Sequence, residues 1–207
     1  MRPTTLLRHL IREQLATSSL TDAGAIAVFE PFDSHIAFVA YDLDSLDAAL
    51  AGEIKKPVVH AALYVYDWRD PECNSAYQVS LAGAATPRGG WGTLVYLAAM
   101  DQLGALYPDR HSLSPSAQAA WKSMARRGLI AGTPLPPDPC LGDPVDGIRG
   151  YRDGALNMSY SLAGPTPDPV TGLLQRGSDH MAYVAANGDL EESHRLLIWA
   201  SPGHNPQ

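Results

Sequence analysis

Cysteine is almost missing from these 207 residues: Cys73 and Cys140 are the only two, and they form no CxxC pair. That excludes a dense disulfide framework, and two distant thiols in a chain without a secretion signal read as reduced side chains. Long apolar runs are missing as well. No stretch approaches the roughly 20 residues that a bilayer crossing needs, and the segment Met1 to Leu15 carries charges inside its apolar pattern and no small-residue cleavage site. Charged residues make up only 18% of the chain, and their imbalance leaves a net charge of −7. This excludes a general attraction to nucleic acid or to anionic membranes, while a local basic patch stays possible. Seven histidines are present, yet none stands at a metal-ligand spacing such as HExxH, so no metal is expected. These absences lead to the expectation of a cytoplasmic protein with no membrane partner. They leave the oligomeric state open.

What is present fits a globular chain: 45% of the residues are apolar, and the length suffices for one domain with a real core. Leu6, Leu7, Leu10, Ile11 and Leu15 share one face of a first amphipathic helix. Ala25 to Phe29 and His35 to Tyr41 have strand composition, and the stretch from Asp44 to Gly52 reads as a short capped helix. Val58 to Tyr66 and Ala76 to Ala84 predict an antiparallel pair. A helix is expected from about Trp91 to Leu103, a short strand at Ala105 to Tyr107, and a helix from Ser114 to Gly128. This last helix has serine at its N-cap, proline at the first helical position and arginines in its final turn. Gly132 to Asp153 is dense in Pro, Gly and Asp and predicts an irregular excursion. A last strand is expected at Ala155 to Leu162, and helix from Thr171 to about Ala200.

The stretch Thr86-Pro-Arg-Gly-Gly-Trp-Gly-Thr93 carries the chemistry. A glycine-rich turn that opens a helix can aim several backbone NH groups at one anion, so it reads either as a phosphate cradle or as a generic glycine loop.

Strand, strand, glycine-rich turn, helix, short strand, helix is an order that resembles the acyl-CoA-binding half of the GNAT superfamily of N-acyltransferases. The family's Q/R-x-x-G-x-G/A turn is matched by Arg88, Gly89, Gly90, Trp91, Gly92 and Thr93, with the basic residue two positions before Gly90 instead of three. Its N-x-x-A-x-x-[LF]-Y helix motif is matched at Ala117, with Ser114 in place of asparagine and Trp121 in place of tyrosine. The run from Tyr107 to Trp121 is similar to divergent GNAT-like proteins of bacteriophages and mobile elements. The resemblance covers residues 58–130 best. It implies an α/β fold of α+β type: a mixed, mostly antiparallel central sheet flanked by helices. Residues 1–131 would be the acyl-CoA-binding core. Residues 132–207 would add an excursion, a strand and a helical C-terminal extension packed on the same domain.

The function so implied is transfer of an acyl group from acetyl-CoA to an amine by direct attack. Leu81, Ala82 and Gly83 would lend backbone groups to the pantetheine arm and the thioester carbonyl. Gly89 to Thr93, with Arg88 and Ser114, would hold the rest of the cofactor. The catalytic groups depart from the family pattern, because the fourth strand has no glutamate and offers only Tyr77, Gln78 and Ser80. Glu72 and Asp70 are the nearest carboxylates, and Glu72 is the candidate base. Trp121 reads as a core anchor, since its indole NH is too weak an acid to protonate a thiolate. Tyr107, Ser112 or Ser114 would replace the usual tyrosine, or water would supply the proton. Arg110 and His111 either line a substrate mouth, or Asp109-Arg110 is a turn with local charge pairing. Two alternatives remain: a GNAT-like binding or assembly protein without catalysis, and an acyltransferase acting on modified nucleic acid, which the acidic charge disfavours.

Overall fold

A computed structural model of the chain describes residues 22–32, 34–67, 76–85, 89–109, 113–135 and 158–180. The expected helix at residues 5–15, both cysteines and the tail beyond residue 180 lie outside these residues. Among the described residues, seven strands form one open sheet: β1 (Gly24–Phe32), β2 (His35–Asp42), β3 (Val59–Tyr66), β4 (Tyr77–Ala84), β5 (Ala105–Tyr107), β6 (Ile130–Pro134) and β7 (Met158–Leu162). Their order is β1-β2-β3-β4-β5-β7-β6. Every neighbouring pair is antiparallel except β4 with β5. Among the described residues, four helices accompany the sheet: α1 (Leu43–Leu50), α2 (Trp91–Leu103), α3 (Pro115–Arg126) and α4 (Asp168–Asp179). This is the mixed, mostly antiparallel sheet with flanking helices that the sequence led us to expect.

Alternation along the strands sorts two cores, because successive side chains leave a strand on opposite faces. Ile26, Phe38, Ala40, Ala61, Leu63 and Val65 face α2, α3 and α4. Ala25, Ala27, Ala37, Val39, Tyr41, Ala62 and Tyr64 point to the other face, where Leu46 of α1 joins them. Helix α2 is buried at every position from Leu94 to Met100. It is apolar around most of its circumference, as a helix enclosed by other elements must be. Helix α1 is capped by Asp42, whose Oδ1 accepts from the Ser45 NH at 2.9 Å, so it begins slightly before the expected Asp44.

The C-terminal part corrects one expectation. Ile130 to Pro134, which overlaps the expected excursion from Gly132, is a strand paired with β7 from Ile130↔Leu162 to Pro134↔Met158. Glycine and proline disfavour a strand locally, but β6 is the outer strand of the sheet and positions 131–134 are exposed. Proline is tolerated at such an edge because its missing donor faces solvent. At the opposite edge, α4 lies against β1. Arg176 Nε donates to the Gly24 carbonyl at 2.7 Å, and His180 Nε2 meets Asp47 Oδ1 of α1 at 2.8 Å. A side chain at Gly177 would have its Cβ 2.8 Å from the Ala27 nitrogen and closer still to the Ile26 carbonyl, so only glycine permits this approach. The helix thereby shields a strand edge that would otherwise be open to pairing.

Candidate functional site

Strands β4 and β5 run parallel and pair at only two positions, Tyr77↔Leu106 and Gln78↔Tyr107. Beyond Gln78, β4 continues to Ala84 paired with β3, while the chain after Tyr107 leaves the sheet. The ladder between the two strands therefore ends at Gln78 and Tyr107, and the strands branch there. On the β3 side, Tyr64↔Leu81 and Val65↔Val79 leave Ser80 as an extra residue, and its hydroxyl donates to the Tyr64 carbonyl at 3.2 Å. This β-bulge exchanges the faces of the strand. Tyr77 and Val79 point to the α2 face before it, whereas Ala82 and Ala84 do so after it and Leu81 turns to the other face.

Past Ala84 the chain reaches the turn that starts α2. Gly90 is the N-cap residue with φ of 86°, a left-handed conformation natural to glycine, and no side chain caps the helix. The first intrahelical bond runs from the Leu94 NH to the Gly90 carbonyl at 3.2 Å. The NH groups of Trp91, Gly92 and Thr93 precede it at the positive end of the helix dipole. The Trp91 side chain is buried and stacks on His60, with ring centroids 4.5 Å apart and planes 12° from parallel. A Cβ on Gly24 would collide with the same indole. His60 is the extra residue of a second bulge, between Ala40↔Ala61 and Tyr41↔Val59, and its Nε2 lies 3.8 Å from Asp42 Oδ2. Burial pushes the imidazole below its usual pKa, against a weaker upward pull from Asp42.

The residues expected to act do not all lie together. Leu81, Ala82 and Gly83 lie on β4 past the branch, and Gly89, Gly90, Trp91, Gly92 and Thr93 form the turn and first helical turn beyond it. Glu72, Asp70, Arg88, Arg110, His111 and Ser112 lie outside the described residues. Tyr107 is on β5 at the branch point, buried and opposite Gln78. Ser114 caps α3, its Oγ accepting from the Ala117 NH at 3.2 Å, so the hydroxyl is engaged in holding the helix. Trp121 is wholly buried, edge-on to Tyr96 at 4.9 Å and stacked on Tyr160 at 4.9 Å. Burial raises the Tyr96 hydroxyl pKa far above its usual range, which keeps that hydroxyl neutral.

Sequence reasoning missed one polar contact at the branch. Gln78 Nε2 donates to Asp109 Oδ1 at 3.3 Å, joining the last paired residue of β4 to the chain that departs after β5. The only sequence signal for it was the break in the alternating pattern of β4 after Val79, where Ser-Leu-Ala-Gly-Ala follows. A groove of about 350 Å³ lies between β1, α2 and α4, lined by Ile26, Asp101, Leu174 and Gln175 among others, and shares no residue with the branch or the turn. Among the described residues, no helix is long and apolar enough to cross a membrane and no group of three or more His, Cys, Asp or Glu could hold a metal ion. Comparison of the chain with family models, curated proteins and solved structures gives no match to any of them.

Proposed function

We propose that this chain is a GNAT-like N-acyltransferase that uses acetyl-CoA as co-substrate. The observation that carries the reading is the branch at which the parallel pairing of β4 with β5 ends, past which β4 continues to Ala84 ahead of the uncapped start of α2. In this reading the cofactor pyrophosphate sits on the NH groups from Gly89 to Thr93, where backbone donors and helix dipole both favour an anion. The pantetheine arm runs back along Gly83, Ala82 and Leu81. Its thioester carbonyl is polarised by backbone donors near the bulge, an electrostatic contribution that grows as negative charge develops on the oxygen. A neutral amine then attacks the carbonyl carbon, the C–S bond breaks as the C–N bond is made, and the proton lost by the nitrogen passes through water to the coenzyme thiolate. Isothermal titration with acetyl-CoA tests the reading: binding is expected, with at least a tenfold loss in Gly90→Val, where a β-branched residue would be forced to positive φ. No binding at about millimolar ligand, a Kd above which the interaction is worth less than roughly 4 kcal/mol, overturns it.

A second reading is favoured by one specific set of observations. Trp121 stands buried where a proton-donating tyrosine is expected, and the Ser114 hydroxyl is committed to a helix cap. Both fit a protein that binds an acyl-CoA without turning it over. Release of free thiol from acetyl-CoA in the presence of an amine panel separates the two readings, since a binding protein releases none.

A further inference from the structure

Among the described residues, the large apolar side chains left exposed are Leu50, Ile54 and Val58, at 46%, 39% and 53%, and all of them fall in one short stretch of chain. Single exposed apolar residues are ordinary, whereas a concentration of them marks a surface that meets another. The stretch leaves the end of α1 and returns beside it. The Glu53 NH donates to the Ala48 carbonyl at 2.9 Å near the end of the helix, and the Val58 NH donates to the Ser45 hydroxyl at 2.8 Å near its start. Pro57, buried, anchors the returning segment, which carries Ile54 and Val58 along the flank of α1. Charges of both signs border these side chains: Asp44 and Glu53 are exposed, and so are Lys55 and Lys56. Asp47 of the same helix is taken up by His180, while no ion pair among the described residues engages the other four.

We propose that α1 and residues 51–58 form the interface of a homodimer, with a second copy of this chain as the partner. A twofold contact requires one surface to be complementary to itself. A face of one charge would repel its copy, and a chain with a net charge of −7 opposes self-association in general. This face instead sets two acids against two lysines around an apolar centre, the anatomy of a self-complementary interface. A twofold axis through it places Leu50, Ile54 and Val58 of each copy against those of the other and brings the lysines of each to the acids of the other. One short helix and its returning segment give less than the roughly 800 Å² per partner of stable interfaces, so the dimer is weak and forms in the micromolar range. None of these residues belongs to the branch or to the glycine-rich turn.

Sedimentation equilibrium of the full chain from about 1 to about 500 μM tests this, since the range brackets a micromolar Kd. The mean mass is expected to rise with concentration from that of one chain toward that of a dimer. Ile54→Asp enters a twofold contact from both sides and is expected to raise the dimer Kd roughly tenfold or more, as is Lys55→Glu combined with Lys56→Glu. All these positions are exposed, so circular dichroism melts of the dilute chains should stay close to wild type. Asp44→Lys combined with Glu53→Lys should weaken the dimer as well. Mixing that chain with the Lys55→Glu, Lys56→Glu chain is expected to restore a dimer that neither forms alone, a rescue that damage to folding cannot produce. A wild-type chain that stays monomeric throughout, a dimer whose Kd is unchanged by Ile54→Asp, or a mixture that does not associate overturns the proposal.

Discussion

Replacing Gly177 with alanine tests how closely α4 must approach β1. The new Cβ would stand 2.8 Å from the Ala27 nitrogen and closer to the Ile26 carbonyl, against about 3.4 Å for an ordinary contact. Both neighbours are strand backbone, so no side chain can swing aside and the helix must retreat by about 1 Å. Leu173 and Val170, fully buried, lie one and two turns back on the same face and would be lifted with it. A gap of that size forfeits about a quarter to a half of their contact energy, and full burial of each is worth roughly 1.5–3 kcal/mol, which gives a loss of about 1–3 kcal/mol. Alanine returns up to about 1 kcal/mol through helix propensity. The net expectation is a chain less stable by about 1–2 kcal/mol, read as a fall in Tm of roughly 2–8 °C. Circular dichroism melts and urea titrations measure it. Gly172→Ala is the internal control, because its Cβ meets only the Arg176 guanidinium at 3.5 Å and the propensity gain should appear undiminished. A Gly177→Ala chain as stable as wild type would refute the close approach.

Two further outcomes follow from single contacts. Ser114→Ala removes the cap on α3 and should cost about 1 kcal/mol in urea unfolding, with Ser114→Asp retaining most of the stability; an unchanged midpoint in Ser114→Ala would mean that the hydroxyl does not hold the helix. For His180, burial lowers the pKa but is outweighed by the Arg176 carbonyl and by Asp47, so the folded value lies above the usual 6.5. A raised folded pKa means that this contribution is fully present below about pH 6.5 and is lost as pH rises through the folded value. Asp47→Asn should therefore destabilise the chain more at about pH 5.5 than at about pH 8.5, and an equal effect at both would remove the ion pair from the account.

The elements that the sequence disclosed are those punctuated by local chemistry. Helix α2 could be bounded at Trp91 and Leu103 because Gly90 and Gly104, both at positive φ, stand immediately outside it. Helix α3 was legible from Ser114, Pro115 and Gly128, each of which acts within one turn of its own position. The pairing of β6 was not legible, since Ala-Gly-Thr-Pro has no strand character of its own and depends on Met158 to Leu162, more than twenty residues away. Gly177 gave no signal either, because its reason is a backbone from the first strand of the sheet. The candidate site divides in the same way. The turn at Gly89 to Thr93 is a local motif, while the meeting of Gln78 with Asp109 depends on where a parallel pairing stops.

That stopping point has a geometric consequence. Strands that have just parted from a shared ladder begin about 4.8 Å apart, and room for a complete third strand requires about twice that spacing. Near Gln78 and Tyr107 the gap therefore admits only something slender, whereas a polypeptide with side chains on both sides could enter only farther along. The inner margin of β4 is thus an interior edge, and beside the branch it is too narrow for a further strand to add to it as one would to an exposed edge.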